Sequence, residues 1–273
     1  VTYRPGAVVR RFTEDANGIT LHLEDGSDIQ GSRAFLGAGV LETARILLAS
    51  RPATGSLTLR DSQQAFLPTL HRWPAPRRPD RGDFHTLPQI FVEIDSPDIS
   101  PHLVHSQVYT WNEYFPRDLT ATHGRKLPGS GPALAALARR LVVAQTFLHS
   151  DHSHRIGLRL SPDGRLVATV QRNPETDQTM SRALRLVSTA LRSGGLLPLR
   201  FAARHGAPGA SFHVGASVPM SATPQDGQSD RLGRPHGLSR LHLIDASSLP
   251  AIPATTITLG VMANAHRIAT AAL

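Results

Sequence analysis

The spacing of apolar and polar positions changes several times along the chain, and each change marks an element. Ile19-Thr-Leu-His-Leu23 alternates strictly, the period-two pattern of a half-buried strand. Ala7 to Phe12 before it and Ser32 to Leu36 after it read as further strands, with Asp25-Gly26 as a hairpin signal, so residues 1–36 predict a β-meander. Phe35-Leu-Gly-Ala-Gly39 then ends a strand in small residues. From Val40 to Ser50 the apolar residues Leu41, Ala44, Ile46, Leu47 and Leu48 recur at helical spacing, which predicts strand, tight turn and helix.

Between residues 51 and about 210 the pattern is mixed. Candidate strands are Ser56 to Leu59, Gln89 to Ile94, Leu103 to Tyr109, Leu141 to Leu148, Arg155 to Leu160 and Leu166 to Val170, with turns such as Pro162-Asp-Gly164 between them. Strands so linked suit an antiparallel sheet. Ala133 to Arg140 and Thr176 to Ser193 read as helices, the second placing Met180, Leu184, Val187 and Leu191 on one face and ending at Gly194-Gly195. Arg72 to Phe84 and His123 to Pro132 are rich in Pro and Gly and read as loops. The tail predicts a buried strand at Leu241 to Asp245, a turn with Pro250 and Pro253, and a helix from about Thr255 to Ala272, with Thr255 and Thr256 placed to cap it. Two strand-turn-helix units therefore bracket a separate sheet, an α+β arrangement.

Composition narrows the class. A chain of 273 residues with 40% hydrophobic positions fills one large domain or two modest ones. No apolar run approaches the roughly 18 residues of a membrane helix, and Val1 to Thr13 lacks the apolar core of a signal peptide, so a soluble, cytoplasmic protein without membrane partners is expected. With no cysteine there is no disulfide framework and no thiolate chemistry. The net charge is +8, but 28 of the 29 basic residues are arginines scattered among acids. The one local cluster, Arg72, Arg77, Arg78 and Arg81, is broken by prolines, so no nucleic-acid partner is expected.

Two constellations argue against hydrolysis. His149-Ser-Asp-His-Ser-His154 has the order H-x-D-H-x-H, which reverses the order of ligand types in the H-x-H-x-D-H used by metallo-β-lactamase-type hydrolases, and reads as a polar turn with no metal. A G-x-S-x-G nucleophile elbow is absent, since Gly215-Ala-Ser217-Val-Pro219 has proline where the second glycine belongs.

The last sixty-odd residues carry the most specific signal, in Ser211-Phe-His-Val-Gly-Ala-Ser-Val-Pro-Met220 and in the run from Ser239 through Asp245-Ala-Ser-Ser248 to Thr258. They resemble the C-terminal active-site region of the glucose-methanol-choline (GMC) flavoprotein oxidoreductases. In that comparison His213 with Gly215 is matched to the family's H-x-x-G, and Asp230 to Gly233 to its D-x-x-G. Asp245-Ala246 is matched to the dipeptide at the cofactor, and Pro253 and Thr256 to the family's N-P-x-x-T. Upstream, Gly37-Ala38-Gly39 and Thr43 to Ser50 resemble a second signature, with Ala44 where the family has proline.

The resemblance implies the closing part of a Rossmann-like FAD-binding domain, residues 1–50 and 211–273, around an inserted antiparallel substrate-binding sheet, residues 51–210. It implies FAD as cofactor, with Gly37, Ala38, Gly39, Asp245, Ala246, Ile252, Pro253, Ala254 and Thr256 at its site. It also implies His213 as the proton acceptor while hydride passes from an alcohol, sugar or sterol-like hydroxyl to flavin N5. Two departures stand out. No G-x-G-x-x-G follows a strand, so an N-terminal flavin-binding half is expected in the same chain or in trans. Ile252 occupies the position where the family carries Asn or His, and an aliphatic side chain cannot hydrogen-bond a hydroxyl. A non-catalytic GMC-like module binding a partner or small ligand is therefore the alternative.

Overall fold

A computed structural model of the chain describes residues 1–73, 88, 90–110, 121 and 131–272. The first half runs β1 (Val9–Glu14), β2 (Ile19–Leu23), β3 (Asp28–Gly31), β4 (Ala34–Leu36), α1 (Val40–Ser50), β5 (Leu57–Asp61), β6 (Gln64–His71), β7 (Ile90–Ile94) and β8 (Val104–Tyr109). The second runs α2 (Gly131–Ala138), β9 (Leu141–Phe147), β10 (Arg155–Leu160), β11 (Leu166–Gln171), α3 (Thr176–Ser193), β12 (Leu196–Pro198), β13 (Arg204–His205), β14 (Val214–Gly215), β15 (Leu241–Leu243) and α4 (Thr258–Ala271). The predicted loop segments 74–84 and 123–130, with Arg77, Arg78 and Arg81, lie outside the described residues. Among the described residues no helix is long and apolar enough to cross a membrane.

The chain divides into two compact units, each built from separate stretches of sequence. The first comprises Val1–Ser62, Ser153–Asn173 and Ser211–Leu273; the second, Gln63–His152 and Pro174–Ala210. The boundary departs from the predicted 51–210 block because β5 is hydrogen-bonded on one side to β10 and on the other to β14. Arg155 lies opposite Arg60, and Val214 opposite Asp61, so residues 57–61 and 155–171 belong with the first unit.

In the first unit β1, β2 and β3 form an antiparallel meander, and β11-β10-β5-β14 a four-stranded antiparallel sheet. The predicted fourth strand of the meander leaves it. Instead β4 pairs in parallel with β15, Ala34 opposite Leu241 and Leu36 opposite Leu243. The pairing is tied to the meander by polar groups: the Glu14 carboxylate accepts from the Ser239 backbone N–H at 2.7 Å, and the Arg240 guanidinium donates to the carbonyls of Ala16 at 2.6 Å and Ser32 at 2.9 Å. The core beneath brings Phe12 and Ile19 together with Ala44, Ile46, Leu47 and Leu48 of α1, Leu57, Leu59, Ile156 and Leu158 of the sheet, and Leu241 and Leu243 of β15. At roughly 1.5–3 kcal/mol for each large apolar side chain buried, this cluster is the unit's main stabilisation.

In the second unit the sheet order is β12-β6-β9-β8-β7, with β13 also on β6. The predicted stripe of α3 is buried, and Met180, Leu184, Val187 and Leu191 join Ala65, Leu67, Val104, Val108 and Ala144 in a second core. The helix ends where Gly195 takes φ 79°, a left-handed conformation that suits glycine. Strand β6 escapes a periodicity reading because Pro68 interrupts it; proline has no N–H for the ladder, and its carbonyl accepts from the Leu199 N–H at 2.8 Å.

The last helix starts later than predicted. Its N-cap is Ile257, with no side-chain cap, so Thr255 and Thr256 precede the helix rather than cap it. Ile252 and Ala254 are drawn into the core, and the residues after them extend the turn. Along α4 the one fully buried side chain is Ile268, while Leu259 is 79% and Met262 64% exposed.

The loop ahead of β15 is organised by Asp230. Its Oδ1 accepts from the backbone N–H groups of Leu232 (2.8 Å) and Arg234 (3.0 Å), and its Oδ2 from the Arg234 guanidinium (2.7 Å). Burial alone raises the carboxyl pKa, but the hydrogen bonds from Arg234 and Leu232 outweigh it and hold the group below the usual carboxylate range. A depressed carboxylate contributes stability above its unfolded pKa and loses it as pH falls through the folded value. The stability gap between the native chain and Asp230→Asn is therefore expected to be widest near neutrality and to narrow as pH falls below the ordinary carboxylate range, as measured by urea unfolding across that acid range.

Candidate active site

All ten residues singled out from the sequence lie in the first unit. Their organiser is Asp245, at the end of β15. Its Oδ2 accepts from the Gly39 N–H (3.0 Å) and the Thr43 hydroxyl (2.6 Å), and its Oδ1 from the Ser247 N–H (2.9 Å). A carboxylate at the N-terminus of α1 satisfies one of the orphan N–H groups and complements the helix dipole. Gly39 caps the helix at φ 84° and ψ 148°, a region essentially restricted to glycine. Gly37 is close to the other strand-turn unit: a Cβ there would lie 3.2 Å from Ile244 Cγ1. Thus Gly37-Ala38-Gly39 and Asp245-Ala246 form one double turn beyond the ends of the parallel strands.

His213 enters from the other side. It is buried, its N–H donates to Ser211 Oγ at 3.1 Å, and its carbonyl accepts from the Ser62 N–H at 3.1 Å. The segment following it runs beside the double turn, with Ala216 N–H donating to Ala246 O at 2.8 Å, Val218 to Ser247 at 2.9 Å and Met220 to Ser248 at 3.0 Å. Gly215 makes this approach possible, since a Cβ would sit 2.5 Å from Ala246 O and 2.8 Å from Ile252 Cδ1. The spacing corrects the motif reading: His213 and Gly215 are separated by one residue, not two, and the residue at the H-x-x-G spacing is Ala216. Ala216 is the sole described non-glycine residue with positive φ, at 50°. The backbone keeps a glycine-favouring conformation there although the side chain is alanine.

The second turn divides. Ile252 is fully buried and packs beneath Gly215, and Ala254 is buried beside it. Pro253 is half-buried and stands five residues before α4, while Thr256 is exposed at the approach to the helix. Ile252 is thus a packing residue here. Near the start of α4, Thr255 and Thr256 precede the helix and Thr258 opens a first turn with no side-chain cap.

An open cleft of about 260 Å³ adjoins Ala216, lined among others by Arg60, Arg155, Ser217, Asp226 and Gln228. Arg60 and Arg155 face each other across β5 and β10, and Asp226 borders the same cleft. Sequence reasoning missed these residues: nothing in the local pattern around either arginine signals a pairing made by strands almost a hundred positions apart.

With this geometry in view, residues 134–265 match the C-terminal portion of the GMC oxidoreductase family. Among solved structures, pyridoxine 4-oxidase from Mesorbium loti is similar over 96% of this chain, at 16% sequence identity and a TM-score of 0.60. At that identity the likeness is one of fold. The match spans 56% of that enzyme's own length, so this chain corresponds to little more than half of it. No curated protein matches the chain.

Neighbouring residues give opposite predictions. Gly215→Ala forces a Cβ into the Ala246 carbonyl and is expected to destabilise by at least about 2 kcal/mol, lowering the melting temperature by roughly 4–8 °C. Ala216→Gly relieves a left-handed alanine, at a cost in unfolded-state entropy, and is expected to change stability by less than about 1 kcal/mol. Differential scanning calorimetry of the two variants checks the pair.

Proposed function

We propose that the chain is the C-terminal part of a flavin-dependent oxidoreductase that oxidises an alcohol, sugar or sterol-like hydroxyl to a carbonyl. The observation that carries the reading is the convergence of the His213 strand and the Asp245-Ala246 turn, with Gly215 in close approach to Ala246. It is supported by the GMC match over residues 134–265.

The residues fit FAD in part. The first turn of α4 is exposed and lacks a side-chain cap, so its N–H groups are available to a carbonyl-rich or anionic edge. Gly37, Ala38, Gly39, Asp245, Ala246, Pro253, Ala254 and Thr256 are the proposed cofactor residues, the last nearest to that turn. Asp245 acts by fixing both turns, and Ile252 by supporting Gly215 from below. Bound FAD supplies the acceptor for the two electrons of alcohol oxidation. His213 takes the hydroxyl proton, as neutral imidazole does in general base catalysis.

A Gly-rich phosphate loop is absent from the sequence, and Leu259 and Met262 of α4 are largely exposed. We therefore assign the remaining FAD contacts to an N-terminal flavin-binding half, in the same chain or in trans, that also covers α4. The alternative, a module without catalysis, is favoured by the missing phosphate loop and by Ile252, whose aliphatic side chain offers His213 no polar help.

The test uses the chain together with that half. His213→Ala is expected to lower turnover by roughly 10²–10⁴-fold, the usual contribution of a general base, with flavin content unchanged. Parallel loss of flavin and thermal stability, with turnover per flavin unchanged, would assign His213 a structural role instead.

A further inference from the structure

The second unit brings together a cluster that no local motif contains. Strands β8 and β9 are antiparallel, with His105 opposite Phe147 and Ser106 opposite Thr146. Continuing that register past the strand ends sets the turn before β8 against the turn after β9, so His102 faces the stretch around Ser150. There, His102 Nε2 lies 3.1 Å from Asp151 Oδ2, and His149 Nδ1 lies 3.5 Å from the same oxygen. One ring nitrogen from each histidine and one carboxylate oxygen all lie within 4.8 Å of one another.

We propose that His102, His149 and Asp151 form a binding site for a divalent first-row transition metal. The distances support it. Two N or O ligands held about 2.0–2.2 Å from a tetrahedral ion are about 3.3–3.5 Å apart, close to the two separations from Asp151 Oδ2. The donor set, two imidazoles and one carboxylate, suits zinc-like borderline ions rather than calcium or magnesium, which prefer all-oxygen shells. Three protein ligands leave a position open, and the side chains of His102 and Asp151 are 36% and 45% exposed, so an ion can reach them.

Two further observations bear on the site. The rings of His102 and His149 stack at 3.7 Å with 21° between their planes. A shared ion requires them to tilt toward it, an adjustment within side chains set on turns. A third imidazole borders the cluster: His152 meets His102 edge-on at 6.1 Å, and both its ring nitrogens are buried with no hydrogen-bond partner among the described residues. A water on the ion's open position supplies the kind of partner those nitrogens lack. The order H-x-D-H-x-H reads as a plain turn because the third ligand, His102, comes from the neighbouring strand connection, 47 positions before His149.

The test is titration of the chelator-stripped full chain with Co²⁺, followed by its visible ligand-field absorption. One equivalent, displaced by Zn²⁺, is expected. Asp151→Asn, which preserves shape, and His102→Ala should each weaken Co²⁺ binding more than tenfold, while His266→Ala, on exposed α4, leaves it unchanged. Melting in chelator shows whether each variant is folded, and Asp151→Asn decides should His102→Ala unfold. Absence of a saturable band, or equal affinity in native protein and Asp151→Asn, overturns the proposal.

Discussion

The arrangement of the first unit depends on one carboxylate. Asp245 stands at the end of β15, and its two oxygens reach the start of α1 and its own following turn. The β4–β15 pair is only three residues long on each strand. Such a pair is a weak element alone, because parallel ladders are usually buried and extended. The carboxylate closes it at the end where both strands turn into helical segments. Removing it would leave a helix N-terminus, a hydroxyl and a turn N–H to find other acceptors, at about 1–3 kcal/mol for each buried group left unsatisfied. It also sets the position of Ala246, against which the segment after His213 is laid.

Strands with clean alternation and helices with a full apolar stripe were legible from sequence. Ile19–Leu23, Arg155–Leu160 and Thr176–Ser193 carry periodicities that local physics and tertiary packing both favour. Features depending on distant partners were not. The departure of β4 from the meander is decided by β15 and by Arg240, about two hundred residues away. Strand β6 is stabilised by neighbours on both sides despite Pro68. The start of α4 followed the anchoring of Ile252 and Ala254 rather than the local capping preference of Thr255 and Thr256.

The candidate site shows the same division. Residue types were readable, and His213, Asp245 and the glycines do come together in one unit. Spacing was less reliable than type: Ala216, not Gly215, carries the left-handed backbone, and Ile252 lies in the core below Gly215. Glycine at 215 answers to steric proximity and glycine at 39 to backbone torsion. A motif that records only the letter merges these two demands, and a structure separates them.

The pairing of β4 with β15 also has a consequence for how the chain acquires its fold. Residues 34–36 and 241–243 meet only after the whole of the second unit has been made. Closing so long a loop is entropically slow, and during synthesis from the N-terminus α1 emerges long before the carboxylate that caps it. The meander and α1 must then wait with apolar surface uncovered while the intervening unit forms its own core. Of the two units, the one whose residues emerge earlier is the later to be completed, and its exposure to misassembly or chaperone capture is greatest in that interval.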